Sequence, residues 1–199
     1  MAHWIALTGG IGSGKTTVAE LFYMRHRIPC IDTDIISRNL TSCGGGAIEL
    51  LRKQFGSDFI DVSGALKRDK MRELILSNNT AKLKLEAILH PLIFDKIIEQ
   101  QNEIDCLYGF VAIPLLVEQP VFLDLVERVL LVDCSVDMQI ERVMKRNMFS
   151  RYIVQSIINK QSTREERLNL ADDIINNTGN LDDLSMQVDN LHCFYERLF

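Results

Sequence analysis

No Cys-x-x-Cys pair occurs in this sequence of 199 residues, and its five cysteines (Cys30, Cys43, Cys106, Cys134, Cys193) are scattered and odd in number. They cannot all pair within one chain, so they read as reduced thiols and not as a disulfide framework. The four histidines, His3, His26, His90 and His192, lie far from one another and from any cysteine at zinc-finger spacing, which argues against a structural metal. Positive charge is not in excess either: 22 Lys and Arg against 27 Asp and Glu give a net charge of −5. Duplex binding relies on clustered cations to displace counterions, so no nucleic-acid partner is expected, and an anionic ligand must be met by a local site. The longest nearly unbroken apolar run, Phe110 to Val117, contains Pro114 and falls far short of the ~20 residues needed to cross a bilayer. It reads as a buried strand. No basic flank or long apolar stretch precedes Gly9, so neither a secretory signal nor a membrane partner is expected, and the expected location is the cytoplasm.

Repeats, low-complexity tracts and flexible linkers are also missing. What remains, 47% apolar and 25% charged residues, is a globular composition of a length suited to roughly one domain. Ile5-Ala6-Leu7-Thr8 reads as a strand, the glycines after it as a loop, and residues 16–22 as a helix. Pro29-Cys30-Ile31 leads a second strand into Asp32-Thr33-Asp34, and a helix follows until Gly44-Gly45-Gly46 breaks it. Residues 47–101 carry helical patterns and no convincing strand, with His90-Pro91 dividing two helical stretches; the block looks inserted. Residues 110–117 and 129–132 are continuous apolar runs, as expected for strands covered on both faces of a parallel sheet. A helix over 138–146, a short strand at Ile174-Ile175 and a terminal amphipathic helix complete an α/β order.

The strongest local signal is Gly9-Gly10-Ile11-Gly12-Ser13-Gly14-Lys15-Thr16, which satisfies G-x-x-x-x-G-K-[ST] between a strand and a helix. Glycines let the backbone turn tightly and bring successive N–H groups toward phosphate oxygens, and the positive end of the next helix favours the anion. Lys15 suits the β and γ phosphates, and the Thr16 hydroxyl suits Mg²⁺, a hard cation that prefers oxygen. A plain strand-to-helix turn needs neither. No Asn-Lys-x-Asp guanine reader occurs, since Gln161-Ser162 follow Asn159-Lys160, which argues against a GTPase. Asp133 closes an apolar run and is either a Walker B acid or a cap for the helix starting near Ser135.

Asp32 and Asp34 stand at the C-terminal end of the second strand, the edge of an open sheet where ligands gather. One of them can accept a proton from a substrate hydroxyl while the phosphoryl group leaves ATP in line; the other can cap a helix. Arg142 and Arg146, at i and i+4, share a helix face from which both can close on the charge of a loose transition state. The alternative is a solvated basic face paired with Glu141, Glu165 and Glu166. On chemistry alone His90 is a cap or packing residue.

Leu7-Thr8-Gly9-Gly10-Ile11-Gly12-Ser13-Gly14-Lys15, Ile31-Asp32-Thr33-Asp34, Leu89-His90-Pro91-Leu92-Ile93, Pro114-Leu115-Leu116-Val117-Glu118 and Ala171-Asp172-Asp173-Ile174-Ile175-Asn176-Asn177, in this order, resemble the dephospho-coenzyme A kinase family almost end to end. The resemblance implies a P-loop kinase fold: a five-stranded, mainly parallel sheet flanked by helices, with a nucleotide-binding core (about 1–40, 105–135 and 170–199), a helical acceptor-binding insertion (about 41–104) and a lid (about 136–169). It implies transfer of the ATP γ-phosphate to the ribose 3′-hydroxyl of dephospho-CoA, the last step of coenzyme A synthesis, with Mg²⁺ as cofactor, in a monomer or small homo-oligomer. By motif position Asp34 matches the general base, and Lys15, Arg142 and Arg146 the other catalytic groups. ATP falls to Gly10, Ile11, Gly12, Ser13, Gly14, Lys15, Thr16 and Thr17, with Asn177 and Gly179 at the adenine, and the metal to Thr16. Asp34, His90, Leu115, Leu116 and Glu118 fall on the acceptor side. Thr16 stands where Ser is common, Ser63 precedes Gly64 where an acid is more usual, and Met148-Phe149-Ser150 is unusually apolar for a lid turn. Another small-molecule P-loop kinase, or a protein that hydrolyses ATP without an acceptor and uses Asp133 at its metal, are the competing readings.

Overall fold

The apolar run near the start of the sequence becomes β1, His3–Thr8, and the glycines after it lead into α1, Lys15–His26. The computed structural model describes residues 2–199, and these divide into two compact units, one of residues 2–31 with 103–199 and one of residues 32–102. In the first unit, strands β2 (Cys30–Asp32, whose last residue falls in the other unit), β3 (Tyr108–Ala112), β4 (Arg128–Asp133) and β5 (Asp173–Asn176) join β1 in one sheet of order β2-β3-β1-β4-β5. The β1–β3, β1–β4 and β4–β5 pairs are parallel, with Ile5 opposite both Phe110 and Arg128. Alternate residues share a face, so Ile5, Leu7, Tyr108, Phe110, Leu130 and Val132 point to one side. There they pack with Val18 and Phe22 of α1 and with Leu184, Val188 and Tyr195 of the last helix, α9 (Leu181–Leu198). The intervening Ala6, Val111, Val129 and Leu131 are buried as well. Burial on both faces is what makes these strands read as unbroken apolar runs.

β3 stops earlier than its sequence suggests. The apolar run continues to Val117, but the strand ends at Ala112 and residues 114–118 form a turn. Ile113 still donates to the Leu7 carbonyl at 3.0 Å, and Pro114, with no N–H, cannot extend the ladder. A 3-10 helix, Pro120–Leu125, leads on to β4. Beyond β4 come α6 (Val136–Asn147), α7 (Arg151–Ile158) and α8 (Arg164–Leu170). Ser135, not Asp133, caps α6, its side chain accepting from the Met138 N–H. Ile140 and Val143 of α6 pack on Val154 of α7 in a small second core that Ile11 joins.

In the second unit, α2 (Thr33–Leu40) is N-capped by Asp32, whose Oδ1 accepts from the N–H groups of Asp34 at 2.8 Å and Ile35 at 3.1 Å. The segment is therefore extended only as far as Asp32, and Asp34 lies in a helical first turn instead of on a strand. After the three glycines come α3 (Ile48–Phe55), α4 (Arg68–Ser77) and α5 (Asn79–Glu103). A turn closed by the antiparallel bridge Ile60–Leu66 precedes α4; in it Asp61 accepts from the Ser63 and Ala65 N–H groups. α5 runs straight through His90-Pro91, where a break was expected. Pro91 leaves the Ala87 carbonyl without its helical donor, and the buried stripe of Ala81, Leu85, Ile93 and Ile97 offsets that loss.

Candidate active site

The phosphate loop takes its shape from glycine at positive φ. Gly9, Gly12 and Gly14 have φ of 151°, 73° and 102°, a region that favours glycine strongly. Ser13 N–H donates to the Gly10 carbonyl at 3.1 Å, and the first bond of α1 runs from Val18 N–H to Gly14 O at 3.0 Å. The N–H groups ahead of Val18 at the start of α1 point out of the helix end, which makes an anion site. Lys15 folds back over the loop, its Nζ donating to the carbonyls of Gly9 at 2.6 Å and Gly10 at 3.3 Å. Thr16 and Thr17 are exposed in the first turn.

The loop is gripped from behind by side chains distant in sequence. Asn177, just past β5 and buried, donates from Nδ2 to the Ser13 carbonyl at 2.7 Å. Arg142 of α6 donates to the same carbonyl at 3.3 Å and to the Asn177 carbonyl at 2.9 Å. In a trans peptide the carbonyl and the following N–H point in opposite directions. Holding Ser13 O thus aims the Gly14 N–H to the other side. Space behind the loop is short: a Cβ on Gly10 would lie 2.2 Å from Gln139 Nε2, and one on Gly14 would lie 2.1 Å from Asn177 Nδ2. Beside it, Gly14, Thr17, Arg142, Asn177, Gly179 and Leu181 line a cavity of about 220 Å³.

Ile11 N–H, on the tip of the loop, donates at 3.0 Å to Oε1 of Gln161, in the turn between α7 and α8. That turn is tied down by Glu118, which accepts from the Ser162 N–H at 2.6 Å, and by Arg167, which donates to the Ser162 carbonyl at 2.6 Å. Arg167 is buried, and burial lowers its pKa while Glu118, Asp133 and Glu166 oppose the drop. Asp133 is buried at the end of β4 with both carboxylate oxygens taken by Arg164, at 2.6–3.0 Å. Its role here is an ion pair.

Of the two carboxylates after β2, Asp32 is occupied by the helix cap, and Asp34 lines a cavity of about 320 Å³ within the second unit. His90 is half-buried on α5, and burial lowers its pKa against a rise from Glu86. Leu116 is fully buried, Leu115 is partly exposed, and Glu118 belongs to the turn just described. Arg142 and Arg146 part company: Arg142 reaches the loop, and Arg146 is exposed with its Nε on Asn147 Oδ1 at 2.9 Å. Sequence reading gave no role to Gln139, Gln161, Arg164 or Arg167. A signal existed for Gln139, a polar residue on the apolar stripe of Ile140 and Val143, and it is buried.

A glycine loop with Lys15 and Thr16, leaving the middle strand of a five-stranded sheet of parallel pairs, defines a P-loop nucleotide-binding fold. Shikimate kinase from Bacteroides thetaiotaomicron shares this fold at 16% identity, with a TM-score of 0.56 over 98% of both chains. TT1252 from Thermus thermophilus is more similar, at 29% identity and a TM-score of 0.83 over 96% of this chain and 97% of that one. The family model for dephospho-CoA kinase matches residues 3–183. Proteins named dephospho-CoA kinase from Burkholderia lata and Cupriavidus pinatubonensis are 48% and 46% identical, covering 96% and 98% of this chain and 95% of each relative. The chain belongs to the dephospho-CoA kinase family.

Proposed function

We propose that the chain transfers the γ-phosphate of ATP to the ribose 3′-hydroxyl of dephospho-CoA, giving coenzyme A and ADP. The observation that carries this reading is the family match across residues 3–183. In this reading the loop amides and the start of α1 hold the ATP phosphates, and Lys15 leaves the Gly9 and Gly10 carbonyls to neutralise charge on the transferring group. Arg142 keeps the Ser13 peptide aligned and meets the nucleotide from the cavity shared with Gly179. Asp34 accepts the proton of the 3′-hydroxyl as that oxygen attacks in line. Residues 41–104 serve as the acceptor-binding insertion and 136–169 as the lid.

Among the described residues no group of three or more His, Cys, Asp or Glu is placed to hold a metal ion. A magnesium ion carried on nucleotide phosphates needs no such group, because it keeps several waters and takes few protein ligands. The exposed Thr16 hydroxyl beside Lys15 fits that donor set, and magnesium there supplies charge neutralisation at the phosphate oxygens. Among the described residues no helix is long and apolar enough to cross a membrane.

An assay with ATP, Mg²⁺ and dephospho-CoA, with the new phosphate located by NMR, tests the reading. Phosphate on the 3′ oxygen is expected, and Asp34→Asn should retain nucleotide binding while turnover falls about 100-fold or more. Wild-type turnover in that variant removes Asp34 as the base. Phosphate on another acceptor, or ATP hydrolysis independent of acceptor, removes the substrate.

A further inference from the structure

The cavity lined by Asp34 also holds a cluster of cations. Three guanidinium groups line it, that of Arg38 from α2 and those of Arg68 and Arg72 from α4, together with the apolar Leu85 and Leu89 of α5. Arg68 and Arg72, at i and i+4, lie one above the other on a single helix face. Arg68 is fixed in place, its Nη2 donating to the Arg38 carbonyl at 3.0 Å and to Thr41 Oγ1 at 3.2 Å. Both bonds use the same nitrogen, so the N–H groups on Nε and Nη1 remain for a ligand. Arg72 sits 3.9 Å from Asp69 in a pair whose side chains are 72% and 96% exposed, loose enough for a better anion to displace. Three cations and one carboxylate converge here in a chain whose net charge is −5. Like charges gathered against an apolar wall are unfavourable unless an anion meets them, and a guanidinium fork matches phosphate oxygens two at a time.

We propose that Arg38, Arg68 and Arg72 bind the diphosphate that joins the ribose of dephospho-CoA to its pantetheine arm, so that the 3′-hydroxyl of the same ribose is delivered to Asp34. This rests on the functional reading above. The diphosphate leaves the ribose at its 5′ carbon and the reacting hydroxyl stands on the same ring, so a cavity of about 320 Å³ that includes Asp34 has room for both groups. The cluster then selects acceptors by a charge the transfer itself does not touch. It is a positioning device for the base.

The test compares the wild-type protein with Arg72→Ala, Arg72→Lys and Arg68→Lys, measuring KM for dephospho-CoA and for ATP, and dephospho-CoA binding by calorimetry without ATP. Losing a charged hydrogen bond should raise the KM and Kd for dephospho-CoA about 10–100-fold in Arg72→Ala, with a smaller rise in the two lysine variants and no rise in KM for ATP. Should Arg68→Lys fail to fold, the Arg72 pair carries the comparison. Unchanged dephospho-CoA binding in Arg72→Ala, or an equal rise in both substrates' KM, overturns the assignment. A wild-type protein that turns over no dephospho-CoA at all refutes the functional reading, and calorimetric binding in the same sample separates the two failures.

Discussion

Asn177 fixes a peptide of the phosphate loop from a position 164 residues away, and it does so buried. Asn177→Ala leaves the Ser13 carbonyl with only its longer bond to Arg142, at 3.3 Å, and should cost about 1–3 kcal/mol of stability. ATP affinity should fall with it, since the Gly14 N–H loses its fixed direction. Denaturant unfolding and nucleotide titration of the same variant check both, and Asn177→Asp, which sets oxygen against oxygen, should do no better. The loop itself was legible because its chemistry is local: eight consecutive residues carry both the turn and the charge. Its supports were not. Gln161 and Arg164 meet their partners only through tertiary packing, and no spacing in the sequence announces that Arg164 neutralises Asp133 or that Gln161 meets Ile11. The cap alternative for the paired aspartates resolved to Asp32, leaving Asp34 in a helical turn facing its cavity.

At the level of elements, helix and strand type followed from hydrophobic period, and boundaries failed where proline was read too simply. In α5 one lost hydrogen bond did not outweigh a buried stripe that continues on both sides of Pro91. Pro91→Ala restores an N–H for the Ala87 carbonyl, so the variant should be more stable by about 1–2 kcal/mol, the gain being reduced by greater freedom of the unfolded chain. A thermal midpoint that falls instead would show that the proline ring packs better than the bond it removes. In β3 the reverse held: Pro114 ended the ladder although the apolar run went on, because the later residues are buried in a turn, as Leu116 is. α8 starts with a reciprocal capping box between Thr163 and Glu166, directly after the turn that carries Gln161. Thr163→Ala should cost about 1 kcal/mol and raise KM for ATP, because the turn holding Gln161 against Ile11 loosens.

For the whole molecule, stability should depend on pH through two half-buried imidazoles, those of His192 and His90. His192 of α9 stacks on His26 of α1 with ring centroids 3.9 Å apart, its Nδ1 is 2.8 Å from the Tyr108 hydroxyl, and Asp189 and Glu196 are the nearby acids. Burial lowers its pKa first and His26 second, against opposing pulls from those carboxylates; burial lowers that of His90 in the second unit too. Below about pH 6.5 the unfolded chain takes up protons on these rings more readily than the folded one. Their contribution is therefore complete above that pH and is lost as pH falls through the depressed folded values. Thermal midpoints measured from pH 7.5 to 5 should decline, and less steeply in His192→Gln; an equal slope in that variant removes the stacked ring as a cause. A second consequence follows from the strand order. β1 precedes the other strands in sequence yet lies between β3 and β4, so its first residue, His3, waits for Tyr108, beyond the midpoint of 199 residues. During synthesis the ribosome must release more than half the polypeptide before the glycines have a platform to stand on. ATP in the cell therefore cannot template the early stages of this protein's own folding, and amino-terminal fragments shorter than that should be readily digested by protease whether or not nucleotide is present.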